Sequence, residues 1–300
     1  NLSFIMKEEW IAYQTGSNLF AWNMATGFTK QLINFEKEKT VVKKVSAQDQ
    51  WLLQQQLNTS DILKKRKEKS DAGNAYLKRM KDADTLHIIY TGNKTVEGLQ
   101  ISPDGRFITY NLTEEAADAK VAIVPSYITE SGYTTDISTR GKAGVPQGKY
   151  TFYIFDRVKD TVILLRTDSL PGITNKPDYT KDYPAKFSDT VHPVRDVYIS
   201  NVYWNEEGTN VVVDILSQDF KDRWLMQLDA ATGKLKLLNR QRDEAWIAGP
   251  GIGWIGGANC GFINEHTFFY QSEATGYSHL YAYDITVQTN KQLTQGNYEI

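Results

Sequence analysis

Cysteine is nearly absent: Cys260 is the only one in 300 residues, which excludes an intrachain disulfide and a thiolate metal cluster. Long apolar runs are absent too. Nothing approaches the roughly 18 residues of a spanning helix, and the mean hydropathy is −0.47, so no membrane span is expected. A charge excess of one sign is also lacking. Lys+Arg number 34 against 36 Asp+Glu, a net charge of −2, which argues against nucleic acid as a partner. Histidine is scarce: His87, His192, His266 and His279 show no short ligand spacing, so neither metal nor cofactor is expected. The chain opens at Asn1 with no Met, basic region or apolar leader. It is expected to be either processed or a piece of something longer, with any export signal already removed.

What is present is a composition that can build a core: 41% apolar and 23% charged residues. Three hundred residues could make two domains, but all-β architectures often run long as one. Aromatic residues are plentiful, and apolar alternation is mostly of period two, which reads as strand-rich.

One ribbon pattern recurs: an alternating strand, a polar turn and a second alternating strand. It appears as Leu19–Asn23 running on to Leu32, Phe152–Asp156 to Leu165, Leu225–Asp229 to Leu238, and Leu280–Asp284 to Leu293. A fainter copy is Tyr76–Arg79 leading to His87-Ile88-Ile89. Ahead of each ribbon lies a tight hairpin, clearest in Ile101-Ser102-Pro103-Asp104-Gly105 through Tyr110, where Pro presets φ and Gly tolerates φ > 0. Its relatives are Ile5–Tyr13, Val45–Leu53, Tyr203–Val213 and Phe262–Phe269. Two hairpins per step make a four-stranded antiparallel unit, and such units stacked radially make a β-propeller. The fold expected is therefore all-β, a β-propeller of about five blades with irregular inter-strand insertions, a β-sandwich being the alternative. Residues 58–72, with the basic run Lys64–Lys69, read as a polar excursion carrying a helical turn or two. Residues 113–149 read as irregular, and the proline-bearing stretch 168–197 as a long surface connection.

No catalytic constellation emerges. Gly276-Tyr277-Ser278-His279 lacks the second glycine of a nucleophile elbow and opens a β-ribbon, so Ser278 and His279 read as turn residues. Gly251-Ile252-Gly253-Trp254-Ile255-Gly256 has a dinucleotide-loop spelling without a following helix, and reads as an entry into the next blade. Glu114-Glu115 and Glu206-Glu207 have no visible partner for acid–base work.

The wording of the last repeat adds a further indication. Ser272–Tyr281, with its Gly276-Tyr277-Ser278-His279-Leu280-Tyr281, and Gln292–Ile300, with Leu293-Thr294-Gln295-Gly296-Asn297-Tyr298-Glu299, resemble the propeller of dipeptidyl peptidase IV and its bacterial relatives in the prolyl oligopeptidase family. Ser102-Pro103-Asp104-Gly105, Lys142-Ala143-Gly144 and Val202-Tyr203-Trp204 fall in that family's order. The resemblance implies that residues 1–300 are one partial β-propeller, cut from a family propeller of about eight blades. The catalytic triad would lie in an α/β-hydrolase domain outside this chain. It implies a non-catalytic part of a bacterial serine exopeptidase, shaping the substrate cavity and filtering peptide access. Its partners would be that hydrolase domain and a peptide substrate, in the periplasm or outside the cell, with a homodimer left open.

One departure stands out. Family members with dipeptidyl specificity place adjacent glutamates before the hairpin corresponding to Ser102–Gly105, to hold the substrate's free amine. Here Gly92–Gly98 carries one acid, Glu97. The family's arginine that contacts the substrate backbone corresponds loosely to residues 58–72, where Arg66 lies. With that acidic pair missing, the parent is expected to lack a strong dipeptidyl preference. It would either accept longer or blocked peptides or anchor the amine with an acid from elsewhere, for which Glu97 is the candidate. Glu97 and Arg66 are the candidate substrate-binding residues. The alternative is a stand-alone propeller acting as a binding scaffold for protein or glycan. A propeller using metal or glycoside chemistry on its own axis is weakened by the lack of clustered histidines and paired acids.

Overall fold

Period-two alternation becomes, in the computed structural model, four antiparallel sheets that follow one another along the chain. The structure describes residues 2–38, 46–82, 86–139, 141–142, 145–184, 194–253 and 258–300, the side chains of 77–82 aside. The first sheet holds β1 (Leu2–Ile5), β2 (Trp10–Thr15), β3 (Asn18–Asn23) and β4 (Thr29–Glu36). Two helices, α1 (Ala47–Thr59) and α2 (Asp61–Asp82), precede β5 (Ile88–Tyr90), which returns to pair in parallel with β4. The second sheet is built from β6 (Thr95–Ile101) and β7 (Phe107–Glu114), then, after a separate hairpin of β8 (Ile123–Ser126) and β9 (Thr135–Ser138), from β10 (Lys149–Asp156) and β11 (Thr161–Leu164). The third runs β12 (Val197–Trp204), β13 (Val211–Ser217), β14 (Asp222–Asp229) and β15 (Lys234–Arg242). The fourth runs β16 (Gly261–Phe262), β17 (Thr267–Ser272), β18 (His279–Asp284) and β19 (Thr289–Gln292).

The core lies between the sheets. Ile5, Leu32, Ile33, Ile108 and Tyr110 join the first sheet to the second. Phe107, Ile154, Val213, Ile215 and Trp224 join the second to the third. Val212, Leu225, Phe268, Tyr270 and Tyr283 join the third to the fourth. Neighbouring residues such as Phe107 and Ile108, or Val212 and Val213, therefore serve different interfaces, because successive side chains leave a strand on opposite faces. Sheets buried on both faces and stacked in chain order are the blades of a propeller.

The repeat has a local cause. Asn23, Asp156, Asp229 and Asp284 each end a strand, and their side-chain oxygens accept backbone N–H bonds from the residues two and three positions on. The donors are Ala25 and Thr26 for Asn23, and Val158 and Lys159 for Asp156. Ala231 donates to Asp229, and Thr286 and Val287 donate to Asp284. This Asx turn starts each ribbon. At the second hairpin, Ser102 Oγ donates to Asp104, whose Oδ1 accepts from Arg106 N at 3.0 Å. Gly105 sits there at φ +76°, a left-handed conformation that favours glycine, where the turn of one blade faces the Met6 side chain of the next.

Among the described residues only the end of the fifth copy, Ile88-Ile89 in β5, is strand. Ala47–Leu53 and Tyr76–Arg79, which read as a hairpin and a ribbon, lie in α1 and α2 (Val45 falls outside the described residues). Ser46 caps α1, accepting from Asp49 N at 3.0 Å while its Oγ donates to Asp49 Oδ2 at 2.7 Å. That Ser-x-x-Asp cap, followed by a stretch rich in Gln, Lys, Leu and Ala, favours helix over strand. The excursion expected over 58–72 is thus longer, and no side chain of α1 is buried. Residues 168–184 are also more than a surface connection: Leu170 and Ile173 enter the core, and Trp224 Nε1 donates to Pro171 O at 2.9 Å.

Charges inside the third sheet are paired. Arg223 and Asp214, both buried, meet through Nη2–Oδ2 at 2.7 Å and Nε–Oδ1 at 3.0 Å. Asp222, also buried, collects Arg195 Nη2 at 2.5 Å, Arg240 Nε at 2.8 Å and Arg242 Nη1 at 2.5 Å. Among the described residues no helix is long and apolar enough to cross a membrane.

Candidate functional site

A cleft of about 620 Å³ opens between the second and third sheets. It lies where two strands leave their ladders. β6 is an edge strand whose pairing with β7 slips between Glu97 and Gln100, and β12 is an edge strand whose pairing with β13 slips between Ile199 and Asn201. Such bulges recur beside functional sites because they re-aim side chains. Gly98 makes the first one possible: it stands at φ +61°, and a Cβ would come within 3.2 Å of Asn111 Nδ2.

Among the described residues Glu97 is the one charged side chain on the cleft wall. It is exposed, and its Oε2 accepts from Thr113 Oγ1 at 2.9 Å. Its cross-strand partner is Asn111, whose Oδ1 is buried and has no hydrogen-bond partner. Both sheets add aromatic side chains to the lining. Tyr150 and Tyr198 lie 5.9 Å apart, and Phe220, held at φ +55°, meets Tyr198 edge-on at 6.3 Å. Burial, then Asp214 and Tyr150, push the Tyr198 phenol up to about 12, so it stays protonated and can donate. Gln218 spans the wall, its Nε2 donating to Gly148 O at 3.2 Å. One carboxylate, phenols and carboxamides, with no cation among the described residues, suit a ligand rich in N–H donors or carrying an ammonium group.

Arg66 sits elsewhere. It is exposed in the middle of α2 and does not line this cleft, so the structure does not bring it together with Glu97. Neither do Ser278 and His279 form a catalytic pair. Ser278 Oγ donates to Pro250 O at 2.7 Å. The imidazole spans Thr294 Oγ1 at 3.2 Å from Nδ1 and Gly296 O at 3.0 Å from Nε2, which makes Nε2 the protonated nitrogen. Both are buried structural groups. Residues Trp254–Gly257 of the glycine-rich stretch, His192, and Ala143-Gly144 lie outside the described residues.

The sequence pointed to Glu97 but missed Asn111, Tyr150, Tyr198 and Gln218. The available signal was Gly98, a glycine inside a strand pattern, which marks a bulge.

Residues 94–300 match the family model of the dipeptidyl peptidase IV (DPP IV) N-terminal region. The chain belongs to that family. Among solved structures it is similar to the crystal structure of Porphyromonas gingivalis dipeptidyl peptidase 4, with a TM-score of 0.54 at 14% identity. That match covers 100% of this chain and 33% of the other. A candidate dipeptidyl aminopeptidase IV from Bacteroides ovatus aligns with a TM-score of 0.45 at 13% identity, over 96% of this chain and 38% of the other. The DPP IV N-terminal region here thus spans about a third of the length of these solved chains. No curated protein sequence matches it. The four sheets are accordingly blades of the DPP IV-type β-propeller.

Proposed function

We propose that this DPP IV N-terminal region is a non-catalytic wall of the substrate cavity in a serine exopeptidase of dipeptidyl-peptidase type. It filters peptide access for an α/β-hydrolase domain carried elsewhere in the parent protein, in the periplasm or outside the cell. The observation that carries the reading is the cleft between β6 and β12, whose single charge among the described residues is the Glu97 carboxylate. A peptide's free N-terminus is an ammonium with a pKa of about 8, charged at neutral pH, and a carboxylate is the group that holds it. Glu97 is the amine anchor in this reading, alone where the family uses two acids. Arg66, exposed on α2 and not on the wall of this cleft, is given no contact with the substrate in this reading.

The test compares free and N-acetylated X-Pro substrates on the full-length protein. Losing one partner of a desolvated charge pair costs about 2–5 kcal/mol, or roughly 30- to 5,000-fold. Glu97→Gln is expected to lower the preference for the free amine by at least about thirtyfold. A strong preference that survives the substitution would defeat the assignment. The 300-residue chain by itself is expected not to react with fluorophosphonates, and labelling at Ser278 would refute the non-catalytic role.

A further inference from the structure

The Glu97 cleft carries a second pattern beside its carboxylate. Tyr150 on β10, Tyr198 on β12 and Phe220 in the turn after β13 all line it. Their rings are set at angles: the Tyr150 and Tyr198 planes differ by 48°, and those of Tyr198 and Phe220 by 71°. Stacked pairs elsewhere, Tyr110 with Tyr153 at 17° and Tyr270 with Tyr281 at 15°, close their faces on each other. Rings at angles form a corner instead. This corner is partly open, with Tyr150 exposed and Tyr198 and Phe220 half-buried. Phe220 is held at φ +55°, a left-handed conformation that a phenylalanine rarely adopts, and such strain recurs at ligand clamps.

An aromatic face is electrostatically negative, and a cation within about 6 Å of a ring centre is drawn to it. No lysine or arginine lines the cleft among the described residues, so the rings and the Glu97 carboxylate meet a cation that enters from outside. A primary ammonium is held mainly through hydrogen bonds from its three N–H groups. A methylated ammonium has lost some or all of those donors and presents methyl groups that share the charge. Aromatic faces beside a carboxylate are the surroundings that suit it.

We infer that the Glu97 cleft takes a methylated ammonium group, carried by a peptide with a methylated N-terminus or by a free cation such as choline. The inference rests on the proposal above that this cleft is a cation site. It adds that the faces of Tyr150, Tyr198 and Phe220 supply attraction that needs no N–H group.

Calorimetric titration of the full-length protein with choline chloride, against sodium chloride of equal ionic strength, tests this. Choline is expected to bind, and its uncharged isostere 3,3-dimethylbutan-1-ol to bind at least about tenfold more weakly. Tyr198→Leu and Tyr150→Leu should each weaken choline about five- to thirtyfold, whereas Tyr198→Phe, which keeps the ring, should retain it. Should Tyr198→Leu fail to fold, the exposed Tyr150 decides. Cleavage of an N-trimethylated X-Pro substrate in preference to its N-acetylated counterpart would assign the group to a peptide; choline binding without that preference would assign it to a free cation. No choline heat beyond that of sodium chloride would overturn the cage. So would equal binding of the uncharged alcohol, or equal losses on Tyr198→Phe and Tyr198→Leu. If the cage fails while a Glu97-dependent preference for the free amine persists, the amine anchor stands without it. Choline binding in a protein that shows no such preference would keep the cage and remove the anchor.

Discussion

The third sheet and the helical excursion show two ways of holding a chain segment in shape. All seven residues of β13 are buried, and its alternate side chains feed two different cores. α1, of 13 residues, buries none. In β13 the tertiary environment dictates the residues, so Val211-Val212-Val213 and Ile215-Leu216 read as a continuous apolar run. In α1 and α2 local chemistry decides: a Ser46 cap, good helix formers, and an i,i+4 pair between Lys67 and Asp71 at 2.9 Å. Substitutions should therefore be costly and global in the sheet, but mild and local in the helices.

The largest effect is expected at the buried charge pair. Asp214→Leu leaves Arg223 uncompensated and is expected to cost about 3–5 kcal/mol in urea unfolding. Adding Arg223→Met should recover most of that loss, since an apolar pair of similar volume is often neutral. A double variant as unstable as the single one would show that packing, not charge, governs the site. Next comes Ile215→Ala, at about 2–5 kcal/mol through the cavity it opens.

Acid should separate the two regions as well. Burial alone would raise the Asp156 carboxyl, but the Arg106 hydrogen bond and the Lys159 and Val158 N–H groups hold it below the ordinary range. For Asp219, burial is likewise outweighed, here by Ser217, Arg195 and Lys221. A carboxyl whose folded pKa is depressed contributes stability that is complete above its unfolded value of about 3.9. That contribution is lost as pH falls through the lower folded value. Near-UV circular dichroism should therefore decay below about pH 4. Arg106→Gln should blunt the decay by removing the Asp156 share.

Ser46→Ala is expected to cost about 1 kcal/mol, confined to the helix. Hydrogen exchange should quicken over Ala47–Thr59 while the sheets stay protected. Arg66→Gln should be smallest, within about 0.5 kcal/mol of wild type, because the residue is exposed. A larger loss of stability would mean that α2 docks on something.

Much of the sheet architecture was legible because its markers are local. Asn23, Asp156, Asp229 and Asp284 stand out in the sequence for the reason they matter in the structure: each caps a turn with its own side chain. The false copy at Tyr76–Arg79 has no Asx residue at the corresponding place, only Arg79. A short apolar run such as Trp51-Leu52-Leu53 suits strand or helix equally, and the Ser46-x-x-Asp49 cap was the signal that separates them. In the cleft, Glu97 was found and its neighbours were not. Asn111, Tyr150 and Tyr198 come from three separate strands and meet only when two sheets stack.

By itself, then, the sequence determined the strands, their turns and the succession of blades, since period-two burial and Asx turns act over a few residues. Only the tertiary structure decided which charges pair and which do not. Asp222 gathers three arginines from two parts of the chain, while Arg157, beside the well-paired Asp156, has no carboxylate against it among the described residues. Electrostatic partnership depends on distances across sheet seams, and no pattern along one strand encodes those distances.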